Sequence, residues 1–247
     1  MIDAWEPKRV PETQRALDHL RGRVPLYTIS EAARILDMRA LTLETWVNGY
    51  EKHYPNRPPV TGAPFITRLS TGSRRSIPFV GLAEAFVVCA FRSSGGSLHK
   101  VRRALSVLEQ DVGLDHALAS RQLYLLGPDL LYDFANRTGD RSVMDLVQLH
   151  DGQRVFVPVV ADYLKNVTYD DGGWASQLRL HQYRVADVRV DPHHTSGDPY
   201  FAKSGVRVED VVSRFRAGDP IDLLAEDYDI PPEEVREAAE RAGLRAA

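Results

Sequence analysis

Three polar side chains near the N-terminus have the type and spacing needed to read the edges of DNA bases. Thr42, Thr45 and Asn48 alternate with apolar residues that recur at helical intervals, so we expect them on the outward face of a helix. Hydroxyl and amide groups on such a face form hydrogen bonds with base edges in the major groove. Contacts with DNA phosphates position a protein without reading the base sequence. The nearby cations suited to such contacts are Arg39, Lys52, Arg68, Arg74 and Arg75.

Two short helices joined by a tight turn are predicted to carry these base-reading side chains. Thr28 and Glu31 have the spacing of a capping box, which satisfies exposed N–H groups at a helix start. Asp37 then interrupts the apolar pattern, and aspartate tolerates the left-handed conformation of a tight turn. A helix-turn-helix lays the outward face of its second helix in the major groove. The residues expected to face inward are Ile29, Ala32, Ala33, Leu36, Leu43, Trp46, Val47 and Tyr50.

A basic hairpin is predicted after a proline-rich connection. Residues 51–62 contain Pro55, Pro58 and Pro59 and are too broken for a helix. Residues 65–69 and 74–77 flank a turn that contains glycine, so we expect them to pair as two strands. Arginines on this hairpin would make it a wing, which we define as a hairpin that contacts the DNA backbone beside a helix-turn-helix. The alternative is a basic hairpin that is simply solvated.

Short amphipathic helix pairs also occur in ordinary helical domains, so their pattern alone does not indicate DNA binding. A resemblance to a known family adds a second line of support. The string S-E-A-A-x-x-L…T-L-x-x-W, from Ser30 to Trp46, resembles the N-terminal helix-turn-helix of MerR-like regulators. The sequence departs from that family at Asp37, at Arg39 and at Glu44-Thr45, where the family has glycine, Ser or Thr, and often a basic pair. The resemblance implies a helix-turn-helix that binds double-stranded DNA.

Two further helices are predicted after the hairpin. Leu82–Phe91 is apolar on nearly all sides, which favours a buried helix. Ser97 is placed to cap an amphipathic helix with Leu98, Val101, Leu105 and Leu108 inside and His99, Lys100, Arg102 and Arg103 mostly outside. The string G-x-S-L-x-x-V-R-x-A-L, which contains this cap, resembles the MerR-like helix that follows the wing. The whole resemblance covers about Tyr27 to Glu109.

Composition and charge restrict the function classes. The 247 residues are 43% hydrophobic, which is enough for one large domain or two to three small ones. No apolar run reaches the length of a membrane span, and the N-terminus lacks the apolar region of a secretory signal, so we expect a cytoplasmic protein. The net charge of −3 hides an asymmetry, because residues 1–110 carry +6 and residues 205–247 carry −5. A basic front and an acidic end suggest different partners.

A middle region of small α+β character is predicted between the two ends. Residues 146–149 and 154–157 flank an Asp-Gly turn, the strongest short hairpin signal. A short helix at Val159–Leu164 and a second hairpin, residues 166–169 with 174–180, are expected next. Gly127-Pro128 is expected to break the apolar stretch from Leu118 to Phe134. Asp162, Asp170 and Asp171 could suggest a metal site, but aspartate is also the ordinary residue of such turns.

The C-terminal third carries a second resemblance. A strand at 188–190 and helices at 208–216, 221–228 and 232–242 are predicted, the last two opened by prolines that the first helical turn tolerates. The string G-D-P-I-x-x-L-A-x-D-Y-x-I-P-P-E-E-V, with the segment before it, resembles a small uncharacterised domain family found in VapB-type antitoxins. The match spans about Val188 to Ala242. Together the two resemblances imply an unusually long VapB antitoxin of the mycobacterial type.

This resemblance also implies partners. It implies a homodimer on a double-stranded operator, and a VapC-type toxin, which is a magnesium-dependent ribonuclease with a carboxylate-lined site. The last helix carries Glu233, Glu234, Glu237 and Glu240, which would repel phosphates, so we expect the C-terminal bundle to associate with protein. A protein-interaction module or a regulator unrelated to a toxin, with weak or no DNA binding, stays open as the alternative.

The sequence thus predicts a mainly α protein with small β elements, of the α+β class. The expected domains are a winged helix-turn-helix at 1–112, a connecting region at 113–185 and a helical bundle with a β-hairpin at 186–247. No nucleotide-binding, zinc-protease or hydrolase motif occurs, so no enzyme, cofactor or metal is predicted. The single cysteine, Cys89, lies in an apolar run typical of a buried thiol, and His193-His194 lies in a loop typical of solvated histidines.

Overall fold

A computed structural model of the chain describes residues 21–55, 57–70, 73–95, 102–107, 116–139 and 141–244, with the side chains of 141 and 142 left aside. The predicted helix cap at Ser97, the inward Leu98, Val101 and Leu108, and the domain end near residue 112 lie outside these ranges. The described part is mostly helical with three small sheets, which confirms the α+β class.

The helix-turn-helix forms as the sequence predicts. Helix α1 spans Ile29–Ile35 and begins with the capping box: the Glu31 N–H donates to Thr28 Oγ1 and the Thr28 N–H donates to a Glu31 carboxylate oxygen. Asp37 has a φ of 51°, so the turn uses the left-handed conformation. Helix α2 then spans Ala40–Asn48. The predicted inward residues are buried except Ile29 and Tyr50, which are half-buried.

The hairpin after α2 lies where the sequence predicted an irregular connection. Strand β1, Tyr50–Tyr54, pairs antiparallel with β2, Arg57–Gly62. Two consecutive prolines are tolerated in β2 because a two-stranded sheet consists only of edge strands, where missing N–H groups need not break a ladder. Gly49 is the C-cap of α2 and has a φ of 73°. A Cβ at this position would lie 2.5 Å from the Gly62 carbonyl oxygen.

The predicted strand pair at 65–69 and 74–77 is not formed as strands in the described residues, so that prediction is wrong. One backbone hydrogen bond, from Leu69 N to Ser76 O, links the two segments. Both segments instead bond to other parts of the domain: Ser76 and Ile77 exchange backbone hydrogen bonds with Tyr27, and Thr67 N donates to Glu84. Ile66 and Ile77 are buried in the core, which fixes the chain without a ladder.

Helix α3 spans Phe79–Ser93 and confirms the prediction of a buried helix. It contacts the 3₁₀ turn Ala117–Ala119 and the helix Pro158–Leu164 of the middle region, so it connects the front of the molecule with the rest. Phe86 and Phe91 are fully buried, and Phe91 meets Phe156 edge-on at a ring distance of 5.6 Å.

Helix α4 spans Arg121–Thr138 and continues through Pro128, where the sequence predicted a break. Proline in a helix interior removes one hydrogen bond, and here tertiary packing offsets that cost. Gly127 and Pro128 are both buried, and a Cβ on Gly127 would lie 2.7 Å from the Phe156 ring. The close approach of the Phe156 ring to α4 therefore requires this glycine.

The middle region contains the predicted hairpins. Strand β3, Val147–His150, pairs with β4, Gln153–Phe156, through a turn in which Asp151 and Gly152 both have positive φ. A 3₁₀ segment, Arg141–Leu146, precedes this hairpin, and helix α5, Pro158–Leu164, follows it. Strands β5, Val167–Tyr169, and β6, Ala175–Arg179, form the second hairpin.

The C-terminal third begins within the same sheet. Strands β7, Val188–Val190, and β8, Tyr200–Phe201, complete a four-stranded antiparallel sheet in the order β5-β6-β7-β8. Helices α6, Val208–Arg216, α7, Ile221–Tyr228, and α8, Pro232–Arg241, then pack as a bundle around Val211, Leu224 and Val235. Because β6 pairs with β7, the predicted boundary at 185/186 falls inside one sheet. The three domain ranges stay a prediction.

Candidate nucleic-acid interface

Helix α2 presents an outward face opposite the buried stripe of Leu43, Trp46 and Val47. Asn48 is exposed on that face, while Thr42 and Thr45 are half-buried at its flanks. Leu41 and Glu44, which the sequence analysis did not select, are exposed there as well. The arrangement leaves a polar and apolar strip that is free to contact a groove of DNA.

The hydroxyl of Thr45 is already used as a donor. Its Oγ1 donates to the Leu41 carbonyl oxygen at 2.9 Å, the back-bond that Thr forms within helices. The lone pairs of that oxygen remain available, so Thr45 can act towards a base as an acceptor.

Arg68 and Asn48 are brought together by the fold. Arg68 Nη1 donates to Asn48 Oδ1, although the two residues are 20 positions apart. The sequence predicts Arg68 on a wing and Asn48 at the base edges. The structure instead links the segment after the hairpin with the last turn of α2.

The remaining predicted cations surround the helix-turn-helix. Arg39 is exposed at the N-cap of α2, and Lys52 is exposed on β1 with its Nζ 5.5 Å from the centre of the Tyr50 ring. Arg74 and Arg75 are exposed in the segment before Ile77, and Arg75 lies 3.9 Å from Glu31 at the start of α1. Lys52 is thus carried by the hairpin that the structure shows, whereas Arg74 and Arg75 lie on a separate basic segment.

Arg102 holds the base of the hairpin, a role the sequence analysis missed. Its guanidinium donates to the Ala63 carbonyl oxygen and lies over the Phe65 ring at 4.5 Å and the Tyr50 ring at 5.4 Å. Burial lowers the pKa of Arg102, with a weaker opposing influence from Tyr50. The sequence placed Arg102 on the outer side of its helix, and only the tertiary position of two aromatic rings shows otherwise.

A buried carboxylate holds the segment that follows the hairpin. Glu84 of α3 is 4% exposed and accepts hydrogen bonds from Thr67 N at 2.6 Å and Thr67 Oγ1 at 2.9 Å. His116 Nδ1 lies 2.9 Å from Glu84 Oε1 and from Thr67 Oγ1. These contacts order the chain between the hairpin and α3.

The start of α1 has a stabilised carboxylate. Burial by itself would raise the pKa of Glu31, but the hydrogen bonds from Thr28 and the charges of Arg75 and Arg34 outweigh it and hold that pKa below its ordinary value. The capping box is therefore charged at neutral pH, which favours the helix N-terminus.

Direct contacts join the helix-turn-helix to the C-terminal third. Tyr27 Oη donates to the Gly197 carbonyl oxygen at 2.9 Å, and Gln182 Nε2 donates to the Ile35 carbonyl oxygen at 2.8 Å, both buried. At the surface, Arg241 of α8 pairs with Asp37 in the turn at 3.0 Å. The turn of the motif is thus held by the last helix of the bundle.

Glu237 does not face outward to a partner as the sequence suggested. It accepts hydrogen bonds from the backbone N–H groups of Arg184, Val185 and Ala186, at 2.7 to 3.0 Å. This carboxylate joins α8 to the loop before β7, whereas Glu233 and Glu240 are exposed.

Three side chains of types that serve in catalysis or metal binding, Cys89, His194 and Asp170, are buried or bonded to other parts of the protein. Burial raises the pKa of the Cys89 thiol to about 12, which makes it a poor nucleophile. His194 Nε2 bonds to the Gly205 carbonyl oxygen, and Asp170 pairs with Arg21. Within the described ranges no three His, Cys, Asp or Glu side chains are grouped to hold a metal ion, and no helix is long and apolar enough to cross a membrane.

The helix-turn-helix, its hairpin and the surrounding cations have the arrangement typical of helix-turn-helix DNA-binding domains. A family model described as "Putative DNA-binding HTH domain" matches residues 25–105, a range that contains α1, α2, the β1–β2 hairpin and α3. A second model, "Protein of unknown function (DUF433)", matches residues 188–240, which hold β7, β8 and the three-helix bundle.

Two relatives match nearly the whole chain. The curated protein "Putative antitoxin VapB45" of Mycobacterium tuberculosis is 44% identical over 226 residues, 89% of this chain and 94% of that protein. The X-ray crystal structure of Rv2018 from Mycobacterium tuberculosis has a TM-score of 0.77 at 40% identity, and covers 89% of this chain and 99% of its own. The chain belongs to the family of VapB-type antitoxins.

Proposed function

We propose that this protein is an antitoxin that binds and represses its own operator and neutralises a VapC-type ribonuclease toxin. The observation that carries the DNA half of the proposal is the outward face of α2, placed beside a projecting hairpin and ringed by Arg39, Lys52, Arg68, Arg74 and Arg75. We further infer that it acts in the cytoplasm, where an operator is accessible.

In the proposed complex α2 lies in the major groove, with its outward face directed at the bases. The β1–β2 hairpin then lies along the neighbouring backbone, where Lys52 contacts phosphate. Arg39, Arg74 and Arg75 hold phosphates on the other side of the helix, and Thr42, Thr45 and Asn48 face the bases. This placement follows the MerR-like relationship inferred from the sequence, with the hairpin at 50–62 in place of the one expected at 65–77.

A test of DNA binding uses fluorescence anisotropy of the full chain with a duplex taken from upstream of its own gene, against a scrambled duplex, at two salt concentrations. Operator binding should be tighter than scrambled binding and should weaken with salt, because Lys and Arg release counterions from phosphates. Equal or absent binding would contradict the proposed repressor role.

The toxin half rests on family membership and on the acidic C-terminal bundle. A small nuclease gene next to this one would provide the candidate partner, and coexpression should give a stable complex with suppressed ribonuclease activity. A guanidinium inserted among the carboxylates of such a nuclease would neutralise its site by bidentate pairing. Light scattering of the protein alone tests the proposed homodimer, for which operator half-sites would lie whole helical turns apart.

A protein-interaction module without DNA binding is the second candidate. Glu44 on the outward face of α2 favours it, because a carboxylate near phosphates is repelled. Capture of the nuclease without any salt-dependent affinity for DNA would support this candidate.

A further inference from the structure

The outward face of α2 carries two side chains whose identity the fold does not require. Leu41, in the first turn, is 76% exposed, and Glu44, almost one turn further on, is also exposed. Helical geometry places both on the side opposite the buried stripe. No ion pair joins Glu44 to another of the residues that the structure describes. Both side chains are therefore available to whatever occupies this face.

The neighbours of Leu41 and Glu44 on this face have limited capacity to distinguish bases. The Thr45 hydroxyl donates to the Leu41 carbonyl oxygen, so it can only accept from a base. Asn48 Oδ1 accepts from Arg68, so one of the two acceptor positions of this oxygen is already used. The bidentate contact of an asparagine with adenine needs both its oxygen and its nitrogen. Additional side chains on this face can therefore add to the discrimination of bases.

Leu41 and Glu44 have the chemistry to supply this discrimination. In the major groove only thymine presents a methyl group, and only cytosine presents an amino donor without an adjacent acceptor on the same base. Residues three apart on a helix have Cβ atoms about 5–6 Å from each other. Stacked base pairs rise about 3.4 Å per step, so the two side chains reach base pairs that are neighbours or one pair apart.

We propose, on the basis of the DNA-binding function proposed above, that Leu41 contacts a thymine methyl group and that Glu44 accepts a hydrogen bond from the amino group of a nearby cytosine. Together the two side chains then select operator half-sites in which this thymine and this cytosine lie in neighbouring base pairs or one base pair apart.

The negative charge of Glu44 contributes to sequence selectivity in this arrangement. The surrounding arginines attract any DNA, which by itself gives affinity without selectivity. A carboxylate on the groove-facing side opposes this attraction at every sequence, and the cost is offset only where a cytosine donates to it. Specificity of this kind depends on an element that penalises the wrong partner.

The test uses the full chain and the operator duplex, with anisotropy as the measurement. Each thymine is replaced singly by deoxyuridine, which lacks only the methyl group. Each cytosine is replaced singly by the form methylated on its exocyclic amino group, which blocks the donor in the major groove while pairing is kept. For the wild type, one deoxyuridine position should weaken binding about fourfold. One methylated cytosine should weaken binding about fivefold or more.

The variants identify the side chains responsible. Leu41→Ala should bind the unmodified operator more weakly and lose its response at the one thymine. Glu44→Ala should lose its response at the one cytosine, while its affinity for scrambled DNA rises. Leu149→Ala, at a leucine that is 72% exposed on β3, and Glu233→Ala, on α8, are matched controls that should respond as the wild type does.

Two results would overturn this assignment while leaving DNA binding intact. One is an equal response of the wild type and both variants to every base replacement. The other is tighter binding of Glu44→Ala to operator and scrambled duplex by the same factor, which would mean that Glu44 only repels DNA. A wild type without preference for its operator would instead contradict the underlying DNA-binding proposal.

Discussion

Arg68 donates a hydrogen bond to the side-chain oxygen of Asn48, and this contact joins the last turn of α2 to a segment 20 residues further along the chain. It fixes the amide of Asn48 with its nitrogen turned away from the guanidinium. A cation that sequence reasoning assigned to phosphate is thus also a positioning residue for a base-reading side chain.

Replacing Arg68 by Ala should therefore change the sequence preference of the protein as well as its affinity. The released amide of Asn48 can rotate and offer either its oxygen or its nitrogen to a base. Competition binding against operators with single base-pair changes would measure the effect. Arg74→Ala is the comparison, because loss of a phosphate contact alone weakens binding about uniformly across sequences. An unchanged preference profile in Arg68→Ala would assign Arg68 to phosphate contact only.

Replacing Arg74 and Arg75 together by Ala should reduce the salt dependence of DNA binding. Each lost phosphate contact lowers the slope of log K against log salt by about 0.9. The slope should therefore fall by up to about 1.8 in the double variant. Arg236→Ala, at an exposed arginine on α8, should keep the wild-type slope. The phosphate assignment of the two arginines would be wrong if the double variant also kept it.

Replacing Arg102 by Ala should loosen the β1–β2 hairpin without removing any proposed DNA contact. The stacking on Phe65 and Tyr50 and the bond to the Ala63 carbonyl are lost, at a cost of about 1 kcal/mol in the free energy of unfolding. Hydrogen exchange of the amides in 50–62 should accelerate, and operator affinity should fall with little change in the salt slope.

Arg102→Lys separates charge from geometry in this prediction. Lysine keeps the positive charge but lacks the planar group that stacks on two rings. Its hairpin amides should exchange at a rate between those of the wild type and Arg102→Ala. Wild-type exchange in both variants would show that the guanidinium does not hold the hairpin.

The features that sequence reasoning identified correctly are those set by residues close together in the chain. The Thr28–Glu31 capping box and the Asp151-Gly152 turn each depend on the conformational preferences of a few adjacent residues. The apolar periodicity of α1 and α2 likewise predicts which side of each helix is buried. Each of these patterns lies within about a dozen consecutive residues, so it can be recognised without knowing the tertiary structure.

The features that it missed depend on distant residues. Pro58 and Pro59 argue against a strand in general, and they are acceptable in β2 because, in the described part of the chain, this strand pairs with β1 alone. Pro128 argues for a break in α4, and the packing of Gly127 against Phe156 overrides that preference. In the candidate interface, Arg68 contacts Asn48, and Arg102 contacts the rings of Phe65 and Tyr50. These residues are far apart in the chain, so no local sequence pattern predicts that they meet.

Glu237 shows the same dependence on distant residues, and its environment predicts how stability varies with pH. Burial by itself would raise its pKa, but the N–H groups of Ala186, Arg184 and Val185, with the charge of Arg241, hold that pKa below its ordinary value. A carboxyl with a lowered pKa in the folded state contributes stability above its unfolded pKa, about 4.3. That contribution is lost as the pH falls through the folded value.

Glu237→Gln should accordingly lower the free energy of unfolding by about 1 kcal/mol at neutral pH, because a neutral amide is the weaker acceptor. Chemical denaturation at several pH values should show the difference from the wild type shrinking in acid, as the wild-type carboxyl becomes protonated and neutral in turn. Glu233→Gln, exposed on the same helix, should differ little from the wild type at any pH. A difference for Glu237→Gln that stayed constant into acid would mean that the ionised state of this carboxyl is not what stabilises the contact between α8 and the loop at 184–186.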